Sequence, residues 1–377
     1  MKKIIIIFLL CFTTKVCALD LTSYSRSAIL VEPSTNTIIY ELNKDEKLAP
    51  ASMTKLMTML LIMEAVDDER ISLNDMVLVS KNAASMGGSQ VFLEENSKLK
   101  VDQLLKGIAI ASGNDAAVAM AEHIAGSTQE FVNMMNQKAE YLNLKNTHFV
   151  NVHGLDEENH YSTAYDMSQI AIELLKYDKI LEYTSLYEDY LEKPDGTKTW
   201  LVNTNKLVRF YEGVDGLKTG YTKNAMYCLT STAMKNNVRF VSVVMGADSS
   251  EHRSQDTTNM LNYGFSNYKL NKILNANDDI GQIDVYKGKK KTVKVVTKEG
   301  ATDLLKQNER KTYSYNVNKY KLTAPVFKGD VVGQLEIVDS NGKVVKILDI
   351  ISGEDVEKHN FVSLLIDFLR NNIGGYV

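Results

Sequence analysis

Pro50-Ala51-Ser52-Met53-Thr54-Lys55-Leu56-Met57-Thr58-Met59-Leu60-Leu61-Ile62-Met63-Glu64-Ala65-Val66 is the stretch from which the fold is read. From Ser52 onward it holds no helix breaker and is mostly apolar, which predicts a buried helix. Pro50 fits the opening of such a helix, where its missing N–H costs nothing. Residues three apart on a helix share a face, so the Lys55 amine can reach the Ser52 hydroxyl. A serine hydroxyl is a weak nucleophile until a neighbouring base takes its proton. Lysine can be that base only when neutral, which burial or a second nearby cation can bring about. Taken alone, Ser-x-x-Lys is common and most such pairs are surface residues.

Working outward, residues 27–41 are two β-rich runs around the turn cluster Pro33-Ser34-Thr35-Asn36, a hairpin. Helical patterns recur at 101–111, 115–125, 128–143 and 164–177. Tyr227–Met234 and Val238–Met245 then pair as strands around Lys235-Asn236-Asn237. A first hairpin, a block of helices and a returning hairpin predict an α/β (α+β) domain over residues 19–268, one antiparallel sheet with helices packed on it.

After Phe265 the pattern breaks through an Asn/Asp-rich stretch, read as a linker over 269–280. Short alternating runs separated by Lys287-Gly288, Lys328-Gly329-Asp330 and Ser340-Asn341-Gly342 follow, predicting a small all-β domain over 281–352. Charge divides the same way: residues 281–350 hold 14 Lys+Arg against 8 Asp+Glu, while 19–280 hold 24 against 35. The basic module suits an anionic cell surface or is a solvated sheet face. The last segment, 353–377, places Phe361, Leu364, Leu365, Phe368 and Leu369 on one broad face from 354 to 373. It is too short and too polar to span a bilayer, and reads as an amphipathic, membrane-anchoring helix.

Lys2, Lys3, the apolar run Ile4–Phe12 and the small-residue site ending at Ala18 have the three-part build of a secretory signal over residues 1–18. Cleavage there removes Cys11 and Cys17, leaves Cys228 alone and rules out an internal disulfide, so the exported protein is held by its core. Export makes nucleic acid a poor partner. The six histidines show no ligand spacing, so neither a metal nor another cofactor is expected.

Two further motifs complete the reading. Ser112-Gly113-Asn114 lies between two helical segments, and Lys218-Thr219-Gly220 leads into the returning hairpin. Each alone reads as helix punctuation or an ordinary turn. All three in this order resemble the low-molecular-mass penicillin-binding proteins of the D-alanyl-D-alanine carboxypeptidase family. Thr147–Leu155 and Trp200–Asn205 resemble further family signatures, in which His148 and His153 read as structural. The resemblance implies a β-lactamase/transpeptidase-like fold and a serine peptidase acting on peptidoglycan peptides that end in D-Ala-D-Ala, with β-lactams as covalent inhibitors. It implies Ser52 as nucleophile, Lys55 as base, Ser112 as proton carrier, and Asn114 as the group holding Lys55 and the substrate amide. Lys218, Thr219 and Arg253 would bind the substrate carboxylate, and the backbone N–H groups of Ser52 and Tyr221, beyond Gly220, would form the oxyanion hole. A β-lactamase, a D,D-endopeptidase and a wall-binding scaffold are the alternatives, and Glu157 and Glu158 lack the context of a lactamase base.

Overall fold

In the computed structural model, which describes residues 20–359 except Pro194, the first hairpin of the chain closes against its last catalytic-domain strand. Five strands, β1 (Ser27–Glu32), β2 (Thr37–Leu42), β3 (Val214–Thr222), β4 (Met226–Lys235) and β5 (Val238–Ala247), form one antiparallel sheet in the order β2-β1-β5-β4-β3. Strand β1 is buried at every position because both faces are covered. Ile29 and Val31 enter one core and Ala28 and Leu30 the other, as the two-residue repeat of a strand requires.

The larger core is built by helices α1 (Lys55–Asp67), α2 (Val101–Ala111), α3 (Asn114–Ala125), α4 (Thr128–Tyr141) and α5 (Ala164–Leu174). Helix α1 packs against the other four, which is why a helix apolar on every side is stable there. On the opposite face lies α6 (Ser250–Asn267), started by the Ser249 hydroxyl accepting from the His252 N–H. Met260 and Leu261 pack it onto the sheet with Phe240 and Leu30. The sequence reading missed α6, because the polar run Ser249–Asn259 hides its apolar repeat until Met260.

The second domain departs from expectation at both ends. The expected linker at 269–280 is instead largely strand: β6 (Tyr268–Leu274) continues directly from α6, and β7 (Asp279–Tyr286) begins five residues later. Next come β8 (Thr292–Thr297), β9 (Ala301–Lys306), β10 (Tyr313–Lys319), β11 (Leu322–Thr323), β12 (Val331–Asp339) and β13 (Val344–Ser352). Six of these form a sheet in the order β10-β12-β13-β8-β7-β11, while β6 pairs with β9. Tyr-Lys-Leu-Asn-Lys-Ile-Leu interleaves three polar residues with four apolar or aromatic ones, and pairing with β9 satisfies its backbone. At the far end, residues 354–359 are not helical: Val356 bridges to Val326 and Lys358 to Gly288, so this stretch seals the β domain. The remainder of the expected amphipathic helix, and the expected signal segment, lie outside the described residues. Among the described residues, no helix is long and apolar enough to cross a membrane.

Candidate active site

Ser52 does not lie in α1 but in the 3-10 turn Ala51–Thr54 that precedes it. The turn is forced. Ala51 has φ +47°, a left-handed conformation that disfavours a side chain, and two glycines press on it from either side. A β-carbon on Gly154 would come within 1.8 Å of the Ala51 carbonyl oxygen, and Gly154 itself has φ +89°. A β-carbon on Gly220 would stand 2.8 Å from the Pro50 carbonyl oxygen and 3.2 Å from the Ser52 nitrogen. The edge strand β3 thus runs against the Ser52 turn at a distance that only glycine allows. Gly220→Ala is expected to push β3 away from Ser52 and, with Ser52 as the nucleophile the resemblance implies, to slow acylation by about a hundredfold, the scale of one lost oxyanion donor. Penicillin-labelling rates, measured with the thermal transition as a control for folding, test this.

Lys55 opens α1 and is fully buried. Its Nζ lies 2.6 Å from Asn114 Oδ1, 2.9 Å from the His153 carbonyl oxygen and 3.0 Å from Ser52 Oγ. The first two partners can only accept. A neutral amine has two N–H bonds and one lone pair, so once both hydrogens point at carbonyl oxygens the lone pair faces the Ser52 hydroxyl. Burial holds the Lys55 amine well below the usual lysine range, and the nearby Lys218 cation pushes it down further, against the pull of Asp115.

Asn114, the first residue of α3, donates from Nδ2 to the Gly87 carbonyl at 2.7 Å, which fixes its amide with the oxygen toward Lys55. Asp115, also buried, accepts from the N–H groups of Val91 and Leu93 and ties the loop before α2 to the start of α3. Between them Ser112 ends α2 in the left-handed conformation, φ 62°. It lines the same cavity as Ser52 while standing outside the Lys55 hydrogen bonds.

That cavity holds about 540 Å³, and its walls include Ser52, Ser112, Thr219, Gly220, Tyr221 and Arg253. Lys218 is buried in β3 beside it, donating to the Thr219 carbonyl at 3.2 Å. Burial and then the Arg253 guanidinium lower its pKa to about 7. Arg253, in the first turn of α6, is 8% exposed, has no acidic partner among the described residues, and its Nε lacks a hydrogen-bond partner. Two basic side chains gathered in a mostly buried place, neither of them ion-paired among the described residues although Glu251 lines the same cavity, suit an anion.

The sequence-predicted residues therefore converge: Ser52, Lys55 and Asn114 in one hydrogen-bonded cluster, and Ser112, Thr219, Gly220, Tyr221 and Arg253 around one cavity with Lys218 behind it. Sequence reasoning missed Thr204, whose hydroxyl accepts from Thr219 Oγ1 at 2.7 Å and whose N–H donates to the Ile110 carbonyl, joining β3 to the end of α2. Only the Asn203-Thr204-Asn205 run marked it. His160 Nδ1 accepts from the Val150 N–H, leaving Nε2–H for Thr54 Oγ1 at 2.8 Å. Burial lowers both His153 and His160 to about 4, so both are neutral and serve as scaffolding.

A family profile described as D-alanyl-D-alanine carboxypeptidase matches residues 14–249, and one described as penicillin-binding protein 5, C-terminal domain, matches 268–358. The chain is 47% identical over 359 residues to the D-alanyl-D-alanine carboxypeptidase DacF of Bacillus subtilis, covering 95% of this chain and 91% of that protein. Penicillin-binding protein 5 from Haemophilus influenzae superposes with a TM-score of 0.75 at 31% identity, covering 89% of this chain and 98% of that one. Penicillin-binding protein D2 from Listeria monocytogenes, solved in its ampicillin-bound form, superposes with a TM-score of 0.58 at 30% identity over 64% of this chain and 97% of that one. With both domains matched and the fold shared along nearly the whole chain, the protein belongs to the D-alanyl-D-alanine carboxypeptidase family of low-molecular-mass penicillin-binding proteins.

Proposed function

We propose that the protein removes the terminal D-alanine from peptidoglycan stem peptides through an acyl-enzyme on Ser52, and that β-lactams acylate the same serine. The observation that carries this reading is the buried Lys55 Nζ held 3.0 Å from Ser52 Oγ by Asn114 and the His153 carbonyl, beside a cavity that Arg253 lines with no ion-pair partner among the described residues. Ser52 Oγ attacks the carbonyl between the two D-alanines while its proton passes to Lys55. The backbone N–H groups of Ser52 and Tyr221 receive the developing oxyanion. As the C–N bond breaks, the leaving amine takes a proton from Lys55 through the Ser112 hydroxyl, and D-alanine departs. Water then repeats the sequence in reverse order of bonds, with Lys55 again as base, and frees Ser52.

Lys218, Thr219 and Arg253 hold the substrate's terminal carboxylate in this scheme, which confines cleavage to the last peptide bond. A pH prediction follows. Lys218 has its pKa depressed to about 7, so in the free enzyme it is charged below that pH and neutral above it. The kcat/KM for a peptide ending in a free carboxylate is expected to fall as pH rises through about 7. The same peptide with its C-terminus amidated is expected to show no such limb, and an identical limb for both would remove Lys218 from carboxylate binding.

Against a β-lactamase stands the placement of Glu157, which accepts from Asn151 and lines a separate cavity that Ser52 does not reach. The lifetime of the penicilloyl adduct decides between the two readings: minutes or longer fits the carboxypeptidase, and rapid release fits the lactamase. The leader-like first 18 residues support export to the outer face of the cytoplasmic membrane, and the apolar face within residues 360–377 supports an interfacial anchor.

A further inference from the structure

Arg253 has no ion-pair partner among the described residues, so where its guanidinium points depends on where the first turns of α6 are held. The sheet holds the apolar side of α6 only from about Met260 onward. The beginning is held by the short link from β5 with its Ser249 cap, and, on the buried side of the first turns, by the N-terminal segment. The Tyr24 ring stacks on His252, the residue before Arg253, with centroids 3.7 Å apart and planes 11° from parallel. His252 Nδ1 in turn lies 2.5 Å from Asp248 Oδ1, just ahead of the helix. One turn further along, fully buried Asp256 accepts from the Tyr24 N–H at 3.2 Å and from the Ser25 hydroxyl, both on Oδ2, while its Oδ1 has no partner. The segment is fixed at its other end where the Arg26 N–H donates to Met245 and the chain enters β1.

We propose that Tyr24 and Ser25, with His252 and Asp256 as their receivers, form a clamp that positions Arg253 for the substrate carboxylate. The clamp residues touch no substrate; they are positioning residues acting through α6. The physical reason is that a mostly buried guanidinium with no ion-pair partner among the described residues is not locked in direction by a carboxylate. Its direction must therefore be imposed by the backbone, and an error of about 1 Å at such a group can cost up to a hundredfold in rate. The inference rests on the assignment of Arg253 to carboxylate binding.

The test uses the full chain and two peptides, one ending in D-Ala-D-Ala with a free carboxylate and one with that terminus amidated. Tyr24→Ala removes the stacked ring, and Tyr24→Phe keeps it. Active sites are titrated with labelled penicillin, so loss of folded protein is not read as a kinetic effect. For Tyr24→Ala the KM for the free acid is expected to rise about tenfold with kcat nearly unchanged, a fraction of the loss that misplacement can cause. Its kcat/KM for the amide is expected to match that of the unaltered protein, and Tyr24→Phe is expected to behave normally on both. An unchanged KM in Tyr24→Ala, or equal losses on acid and amide, overturns the clamp. Arg253→Ala is run in parallel. If it selectively weakens the free acid while Tyr24→Ala does not, only the clamp fails; if it leaves the acid unaffected, the carboxylate role of Arg253 fails and the clamp with it.

Discussion

Ser52→Ala is expected to abolish both D-alanine release and covalent labelling by penicillin while leaving the fold intact. The expectation of full loss follows from the position of Ser52. Among the described residues it is the only hydroxyl hydrogen-bonded to Lys55, and it lies where β3 and the 153–155 loop converge on one turn. The side chain is small and lies on a turn whose geometry is set by Gly154, Gly220 and the Ala51 backbone, so its hydroxyl contributes little to stability. Intact-mass spectrometry of the β-lactam adduct checks both points. The unaltered protein should gain one penicilloyl group located on the peptide containing Ser52, and the variant none; an adduct that survives in Ser52→Ala places the nucleophile elsewhere.

Lys55→Ala is expected to lower the acylation rate by about 10²–10⁴-fold, the range of a positioned general base. The variant also removes a buried amine from two carbonyl acceptors, those of Asn114 and His153, and leaves a cavity beneath Ser52. Some loss of stability therefore accompanies the kinetic effect, so the rate must be referred to folded protein by its thermal transition. The pH dependence of stability separates the two contributions. Burial depresses the Lys55 pKa, so the folded chain binds fewer protons here than the unfolded chain between the two pKa values. The penalty of burying this amine is present at low pH, and its relief makes stability rise with pH up to the ordinary lysine range. Lys55→Ala removes that component of the slope. If acylation by penicillin survives in Lys55→Ala within tenfold of the original rate, Lys55 is not the base.

The catalytic cluster was legible in the sequence because its parts sit on strongly patterned elements. The apolar helix after Ser52, the break at Ser112-Gly113-Asn114 between two helices, and the hairpin after Lys218-Thr219-Gly220 each left a local mark. The helices at 101–111, 115–125 and 128–143 correspond to α2, α3 and α4 with ends differing by at most two residues. Misreadings arose where composition and pattern disagree. Helix α6 starts in a run of serines, charged residues and threonines, and strand β6 carries lysine or asparagine at three of seven positions; both are held by contacts from elsewhere in the chain rather than by local preference. The stretch 354–359 failed as a helix because backbone pairing with 287–289 and 326 was open to it.

By itself the sequence named the side chains that the structure brings together, because three motifs in that order resemble one family of acyl-transferring serine enzymes. It also determined that two unlike domains follow one another. Only the tertiary structure decided that Asn114 and the His153 carbonyl hold the Lys55 amine against Ser52, that Gly154 and Gly220 confine the Ser52 turn, and that Tyr24 stacks beneath the helix of Arg253. Those facts join residues far apart along the chain, and they depend on close packing and on the directions of lone pairs and N–H bonds. Local periodicity carries neither.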